Sequence, residues 1–505
     1  MKIACIIPET ISNFRVLNQP DYYKMVQFPA LESHLKDYGF EVKQFDFLAS
    51  QDDSSESFVY SLIAYEADYW IICAHFCLKD LKEFISIVKD MCNYLPKIIC
   101  YGTGVMDWKT TLLIVPEIHA VVPMMSIGAV TDWILADTKN QDYQDITGIA
   151  FRKDEGIYFS KRAVNDFSYI IRKTPIEECI SKIDKSQAFL WGSLGCWYSK
   201  CTFCNIGAMM SNYSVGSWFS RPIDDIVNEM KQLACKGVKQ ILFLDAEFIG
   251  NGIRGAKRAH EFAKKVMDSQ VHMEFKISCR ADCVDEETFR LLKKAGLTRV
   301  FLGIESGCPK AIERYRKGVS IDIIDNAIQI LKKLKIAFRT DIMLANHKST
   351  IEEIEESLLY IRNRNLLISM NAYGVGSIFH KLHLHAGTPL YDEIADGEER
   401  LLGMELECKF EDNLVKDFYK YAMEMDEWLK NELFSMLTII QDKKIYLGYQ
   451  NYLKIISYNL LLEVVRGFKN NKSGKERKKC FIYNFEKLKY LGRKYKERIM
   501  VVGEI

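Results

Sequence analysis

The chain alternates short apolar runs with amphipathic stretches over most of its length. In the first ~165 residues the apolar runs are KIACIIP, EVKQFDF, DYWIICAH, KIICYG and IHAVVP. They are β-branched or aromatic and short, as buried strands are. Helical stretches such as FPALESHLKDYG and LKDLKEFISIVKDMC lie between them. This order predicts a doubly wound, Rossmann-like parallel sheet. TGIAFRKDEGIYFSKRA reads as a hairpin turned at Asp154-Glu155-Gly156 and closes this part.

From about Lys182 the alternation resumes with longer units. The strand candidates are QAFLWGS, QILFLDA, HMEFKIS, TRVFLGIE, FRTDIML and ISMNAYGV. PIDDIVNEMKQLACKG, AKRAHEFAKKVMDS, DEETFRLLKKAG and TIEEIEESLLYIRNR are helix candidates. Six strand–helix units predict a partial (β/α)6 barrel, whose chemistry is expected at the carboxyl ends of the strands. After about Gly387 the pattern turns helical and rich in Tyr, Phe, Leu and Lys, with NKSGKERKK expected as an exposed loop. The expected domains are 1–165, Rossmann-like; 166–395, the partial barrel; and 396–505, a helical substrate or capping domain. The fold class is α/β with a mostly helical carboxyl-terminal part.

Composition narrows the function classes. Basic and acidic residues balance at 68 against 67, so no polyanion partner and no nucleic acid is expected. The last 65 residues are locally basic, which marks a solvated surface or contact with an anionic or peptide partner. No window is long and apolar enough for a membrane span. MKIACIIPET reads as a buried strand ending at Pro8 rather than a secretion signal, so a cytoplasmic location is expected. Fifteen cysteines in a reducing compartment point to metal binding or chemistry rather than disulfides.

Three of those cysteines, Cys196, Cys201 and Cys204, stand in GCWYSKCTFCN directly after the first barrel strand. A C-x-x-C pair alone suits a redox couple or half a zinc site. A closed zinc site wants four ligands, and no second C-x-x-C or H-x-x-x-H follows. Three thiolates on one loop suit an iron–sulfur cluster with one iron left open. A structural use of the cysteines, in a non-catalytic metal-binding protein, is the alternative from another class.

The segment resembles the radical S-adenosylmethionine (SAM) enzymes, whose motif is C-x-x-x-C-x-x-C with an aromatic before the last cysteine. Phe203 supplies the aromatic, and one extra residue separates Cys196 from Cys201. FSRPIDDIVNEM, LFLDAEF, SCRADCV, VFLGIESG, RYRKG and HAGTPLY also have family counterparts, in order, from Leu190 to Tyr391. TDIMLANHKST departs from the family's usual Gly-x-Pro-Gly-Glu-Thr stretch. The resemblance implies a 4Fe–4S cluster on the three cysteines, with SAM chelating the open iron. One-electron reduction then releases a 5′-deoxyadenosyl radical. It further implies SAM contacts from Phe203, Asp245, Glu247, Arg280 and Glu305, and an electron donor such as flavodoxin or ferredoxin. On the strand, Asp245 and Glu247 should face one way and Ala246 the other.

The first domain resembles the cobalamin-binding domain of one radical SAM subclass. ADYWIICAH, the YGTG turn and TGIAFRKDEGIYF carry the likeness, with Gly102 and Gly104 as cobalamin contacts. A D-x-H-x-x-G motif is absent, and Met125-Ser126-Ile127-Gly128-Ala129 stands where the subclass has Gly-Glu. His75 is expected to be structural. The implied reaction is methylation of an unactivated carbon of a peptide or natural-product precursor. A cyclisation or rearrangement without methyl transfer remains open, as does a sheet that binds no corrin.

Overall fold

The structure is a computed structural model. It describes residues 1–7, 28–47, 55–73, 78–92, 94–102, 107–122, 126–153, 156–160, 167–211, 217–367, 369, 382–395, 405–407, 409–437, 439–470 and 473–502. These residues fall into two compact units. One holds residues 1–300, 330–337 and 384–406, and the other holds 301–329, 338–383 and 407–505.

The first unit opens with seven strands: β1 (Lys2–Ile7), β2 (Glu41–Asp46), β3 (Tyr69–Cys73), β4 (Lys97–Tyr101), β5 (Ile118–Val122), β6 (Ile149–Lys153) and β7 (Gly156–Ser160). Their order is β2-β1-β3-β4-β5-β6-β7. The first five are mutually parallel, and the β6–β7 hairpin runs antiparallel on the edge. Parallel strands need crossover connections. Here they are α1 (Phe28–Asp37), α2 (Ser55–Ala64), α3 (Leu78–Met91) and α4 (Trp108–Ile114), and α5 (Ile127–Thr138) follows β5. Alternate residues face alternate layers. Ile3, Cys5, Ile7, Tyr69, Ile71, Ile99 and Tyr101 form one core with Phe28, Leu31, Val130 and Trp133. Ala4, Ile6, Trp70, Ile72, Ile98 and Cys100, on the opposite face, are equally buried. Burial on both faces explains why these strands read as unbroken apolar runs. The predicted doubly wound sheet is present.

The central sheet contains β8 (Gln187–Leu190), β11 (Gln240–Phe243), β12 (Glu274–Arg280), β13 (Leu297–Gly303) and β14 (Ala337–Arg339), in the order β14-β13-β12-β11-β8. β11 lies parallel between β8 and β12. A separate antiparallel pair, β9 (Ser193–Gly195) with β10 (Trp218–Ser220), rises from the end of β8. The helices are α6 (Asn205–Ser211), α7 (Ile223–Cys235), α8 (Gly252–Asp268), α9 (Glu286–Lys294), α10 (Pro309–Arg314), α11 (Ile321–Lys333), α12 (Ile351–Asn363) and α13 (Pro389–Ile394). Five of the six expected barrel strands are present; ISMNAYGV, the sixth, lies outside the described residues except for Ser369.

The second unit ends in three long helices, α14 (Asn413–Leu437), α15 (Lys443–Asn470) and α16 (Gly474–Val502). Many of its aromatic residues are core, although Phe434, Tyr483 and Tyr490 are exposed. Tyr421 stacks on Phe481 at 4.5 Å and Tyr452 on Tyr495 at 4.0 Å, and Phe418, Tyr449 and Phe468 are buried. Glu355 of α12 pairs with Lys469 (2.9 Å) and Arg466 (3.4 Å), joining α15 to α12. The expected loop NKSGKERKK is corrected here. Ser473 Oγ accepts from the Glu476 N–H and donates to Glu476 Oε2, so α16 begins at once. Ser-x-x-Glu is a helix-starting signal that outweighs the local charge.

Candidate functional site

The three cysteines sit on a loop whose base is covalently short and heavily tied. β9 and β10 hold its entry, with Trp218 opposite Gly195, and the Cys196 N–H donates to Ser217 O (2.9 Å). Gly195 has φ +84°, and a Cβ there would meet Ser217 O at 2.2 Å. Only glycine fits this position. Ser199, at φ 45°, turns the chain, and its hydroxyl donates to Cys196 O. Gly207 of α6 lets the helix approach Ser199 O, where a Cβ would come to 2.6 Å. The loop's far side is fastened by the Leu390 N–H, which donates to Thr202 O (3.0 Å). That bond gives HAGTPLY a physical role, because Thr388 caps α13 and presents Leu390 to the loop.

Cys196, Cys201, Phe203 and Cys204 are all half-buried. Among the described residues no three His, Cys, Asp or Glu side chains converge on a single metal ion. A cubane does not ask for that, since each thiolate takes a different iron. Three partly accessible thiols on a braced loop fit such a cluster. Arg280, at the end of β12, lies beside them and is 5% exposed. Its guanidinium sits over the rings of Tyr198 (4.1 Å) and Trp197 (5.0 Å). Its Nε and Nη2 donate to Asp282 Oδ1 (2.9 Å) and Oδ2 (2.8 Å). Burial opposes its charge, but Asp282, then Cys201 and Cys196, outweigh this and raise its pKa. The guanidinium fork of Arg280 is therefore engaged by a carboxylate of its own chain.

Asp245 and Glu247 are both buried while Ala246 is exposed, although all three lie beyond the end of β11 rather than on the strand. Their partners are internal. Asp245 accepts from the Gly192 N–H (2.7 Å) and Ser193 Oγ (2.6 Å), which joins the ends of β11 and β8. Glu247 accepts from the Ile249 N–H (3.0 Å) and Gly250 N–H (2.7 Å). Burial pushes Asp245 up to about 6 and Glu247 up to about 7, against hydrogen bonds that pull the other way. Arg258 adds bonds to Phe248 O (2.7 Å) and Gly192 O (2.9 Å). Arg221 and Glu229, the two ends of the FSRPIDDIVNEM pattern, form a bidentate pair at 2.9 and 2.8 Å. Arg221 also donates to Trp191 O (2.9 Å).

Glu305 belongs to the second unit. It has φ +69°, bridges Ile342, and accepts from Lys317 Nζ (2.9 Å). VFLGIESG and RYRKG are thus two halves of one ion pair. In TDIMLANHKST the glycine-rich turn is replaced by Asn346 and Ser349, which bond each other, and by Asn346 Nδ2 donating to Tyr315 OH (3.3 Å).

At the carboxyl edge of the first sheet, Gly102 has φ +125° and its N–H donates to Val122 O (3.1 Å). Gly104, His75 and Met125 lie outside the described residues. Ser126 caps α5 by accepting from the Ala129 N–H, and donates to Tyr169 O. A Cβ on Gly128 would meet the Tyr169 ring at 2.5 Å, so that glycine serves packing. A hollow of about 850 Å³ lined by Gln187, Gln240, His272 and Glu274 lies at the amino ends of β8, β11 and β12. Ligands of such sheets gather at the other edge.

Trp197, Tyr198 and Asp282, which contact Arg280, and Cys283, which accepts from Trp197, were not among the residues expected at the site. The signal was the extra residue between Cys196 and Cys201, which brings an aromatic pair into the loop.

Residues 193–361 match the Radical SAM superfamily. The chain is 26% identical over 252 residues to 4′-phospho-dehydrooxetanocin synthase of Priestia megaterium, covering 45% of this chain and 32% of that protein. It is 24% identical over 176 residues to an uncharacterized methyltransferase of Pyrococcus horikoshii, covering 34% and 36%. The chain thus spans about a third of the length of these relatives. In structure it resembles the cobalamin-dependent SAM radical enzyme OxsB with aqua-cobalamin bound. The TM-score is 0.78 at 15% identity, over 100% of this chain and 81% of that one. It also resembles the radical SAM methyltransferase TsrM from Kitasatospora setae, with cobalamin and a [4Fe–4S] cluster bound. There the TM-score is 0.59 at 15% identity, over 78% and 74%.

Proposed function

We infer that this chain, whose middle third is a radical SAM domain in a fold shared with cobalamin-dependent relatives, is itself a cobalamin-dependent radical SAM enzyme. Cys196, Cys201 and Cys204 would hold a 4Fe–4S cluster, and Gly102 and Gly104 would border the corrin. When bound, these groups supply a single electron to SAM and a methyl group to substrate. The observation that carries this reading is the braced loop of three half-buried thiols at the carboxyl edge of the central sheet.

The chain's own residues bind and orient. β9, β10 and α13 hold the loop that carries the three cysteines. Phe203 shields the adenine of SAM. Arg280 and Asp282, of opposite charge, meet the zwitterionic methionine end. Asp245 and Glu247 act through the backbone amides they hold, keeping the strand ends in register. Carbon methylation of a peptide or natural-product precursor is the leading reaction, in line with the methyltransferase relatives. A reaction without methyl transfer is the second reading, favoured by likeness to a synthase not named as a methyltransferase. A low-potential, one-electron donor is required in either.

Anaerobic purification with iron, sulfide and corrin analysis tests the proposal. A brown protein with ~4 irons that converts SAM to 5′-deoxyadenosine and retains corrin is expected. A colourless zinc protein would overturn it. SAM carrying a labelled methyl group then separates the two reactions.

A further inference from the structure

The spacer between Cys196 and Cys201 does more than separate two ligands. Its Trp197 and Tyr198 meet edge to face at 5.8 Å, and both rings lie under the Arg280 guanidinium. Trp197 is itself fixed, because its Nε1–H donates to Cys283 Sγ at 3.4 Å. Cys283 Sγ in turn donates to Gly250 O (3.5 Å), whose N–H is held by Glu247. Asp282 also fixes the guanidinium, with hydrogen bonds at 2.9 and 2.8 Å. A cation 5% exposed is thereby locked against the loop that carries the thiols. All of these residues lie in the first unit.

We propose that Trp197 and Tyr198 are positioning residues which, with Asp282, clamp Arg280 beside the cysteine loop, and that this fixed positive charge raises the reduction potential of the cluster. The proposal rests on the cluster reading above. Reduction adds one electron, supplied by dithionite in the test, and so one negative charge to the centre. A nearby buried cation stabilises the more negative state. Cation–π contact and the bidentate carboxylate keep Arg280 from swinging to solvent. The longer spacer is then the means by which two rings reach it.

The test is a redox titration of the full-length, anaerobically reconstituted protein without SAM, following the electron-paramagnetic signal of the reduced cluster. In Arg280→Gln the ratio of reduced to oxidised cluster at a fixed potential should fall about tenfold, or ~59 mV for one electron. Tyr198→Leu should fall severalfold and Trp197→Phe less, because its ring remains. Arg280→Lys should recover part of the loss. Iron per chain should equal the parent's in each. An unchanged ratio in both Arg280→Gln and Tyr198→Leu, at equal iron, overturns the proposal while leaving the enzyme reading intact. A parent chain that takes up no cluster overturns both. If Arg280→Gln loses iron, Tyr198→Leu and Trp197→Phe decide the matter alone.

Discussion

The amino-terminal and central sheets bury charge at opposite edges. In the amino-terminal sheet Asp137 accepts from Tyr69 OH (2.7 Å), Tyr143 OH (2.5 Å) and Lys97 Nζ (2.5 Å). Tyr69 and Lys97 are the first residues of β3 and β4, so this network sits at the amino edge. In the central sheet Asp245, Glu247, Arg258 and Arg280 gather at or beyond the carboxyl ends of β11 and β12. A network at the amino edge ties helix to sheet. One at the carboxyl edge lies where the ligands of parallel sheets bind. Buried charge by itself does not mark a site; its position along the strand does.

Four substitutions test that contrast, from the largest expected effect to the smallest. Cys201→Ala should abolish iron binding and SAM cleavage; an intact cluster in that variant removes Cys201 from the ligand set. Glu229→Gln breaks the buried pair with Arg221 and should cost about 3–5 kcal/mol in denaturant unfolding. An unfolding midpoint equal to the parent's would show that the pair does not brace the end of β8. Asp137→Asn should cost about 1–3 kcal/mol yet leave iron content and SAM cleavage per cluster unchanged. A selective loss of SAM cleavage there would erase the distinction between the two edges.

The fourth concerns pH. Burial raises Glu247 from 4.5 to about 7. A raised carboxyl stabilises the fold fully below its unfolded value and loses that contribution as pH rises through the folded one. Glu247→Gln lacks this titration. Its destabilisation relative to the parent should therefore be greater at pH 5 than at pH 8, by on the order of 1 kcal/mol. Chemical unfolding of both proteins at the two pH values measures it, and a cost that grows with pH would contradict the burial assignment.

The strands of both sheets were legible because each is an apolar run bounded by turn residues. The cysteine triple was legible because thiolates so close together have few other uses. Arg221 and Glu229 were legible as a pattern, but that they meet is a tertiary fact. Asp245 and Glu247 were legible as acids after an apolar run, while their backbone partners at Gly192 and Gly250 come from loops whose paths no periodicity reports. Three-residue β9 and β10 are too short for any period to show. The start of α16 was written in Ser473 and Glu476, beneath a run of lysines that reads as solvent.

Leu390, on α13, reaches Thr202 only after the chain has passed through all five strands of the central sheet. A nascent chain on the ribosome therefore exposes its three thiols before the clasp that steadies them has been synthesised. Contacts so distant in sequence form late. The full bracing of the cysteine loop is accordingly expected to follow synthesis of α13 rather than accompany synthesis of the thiols.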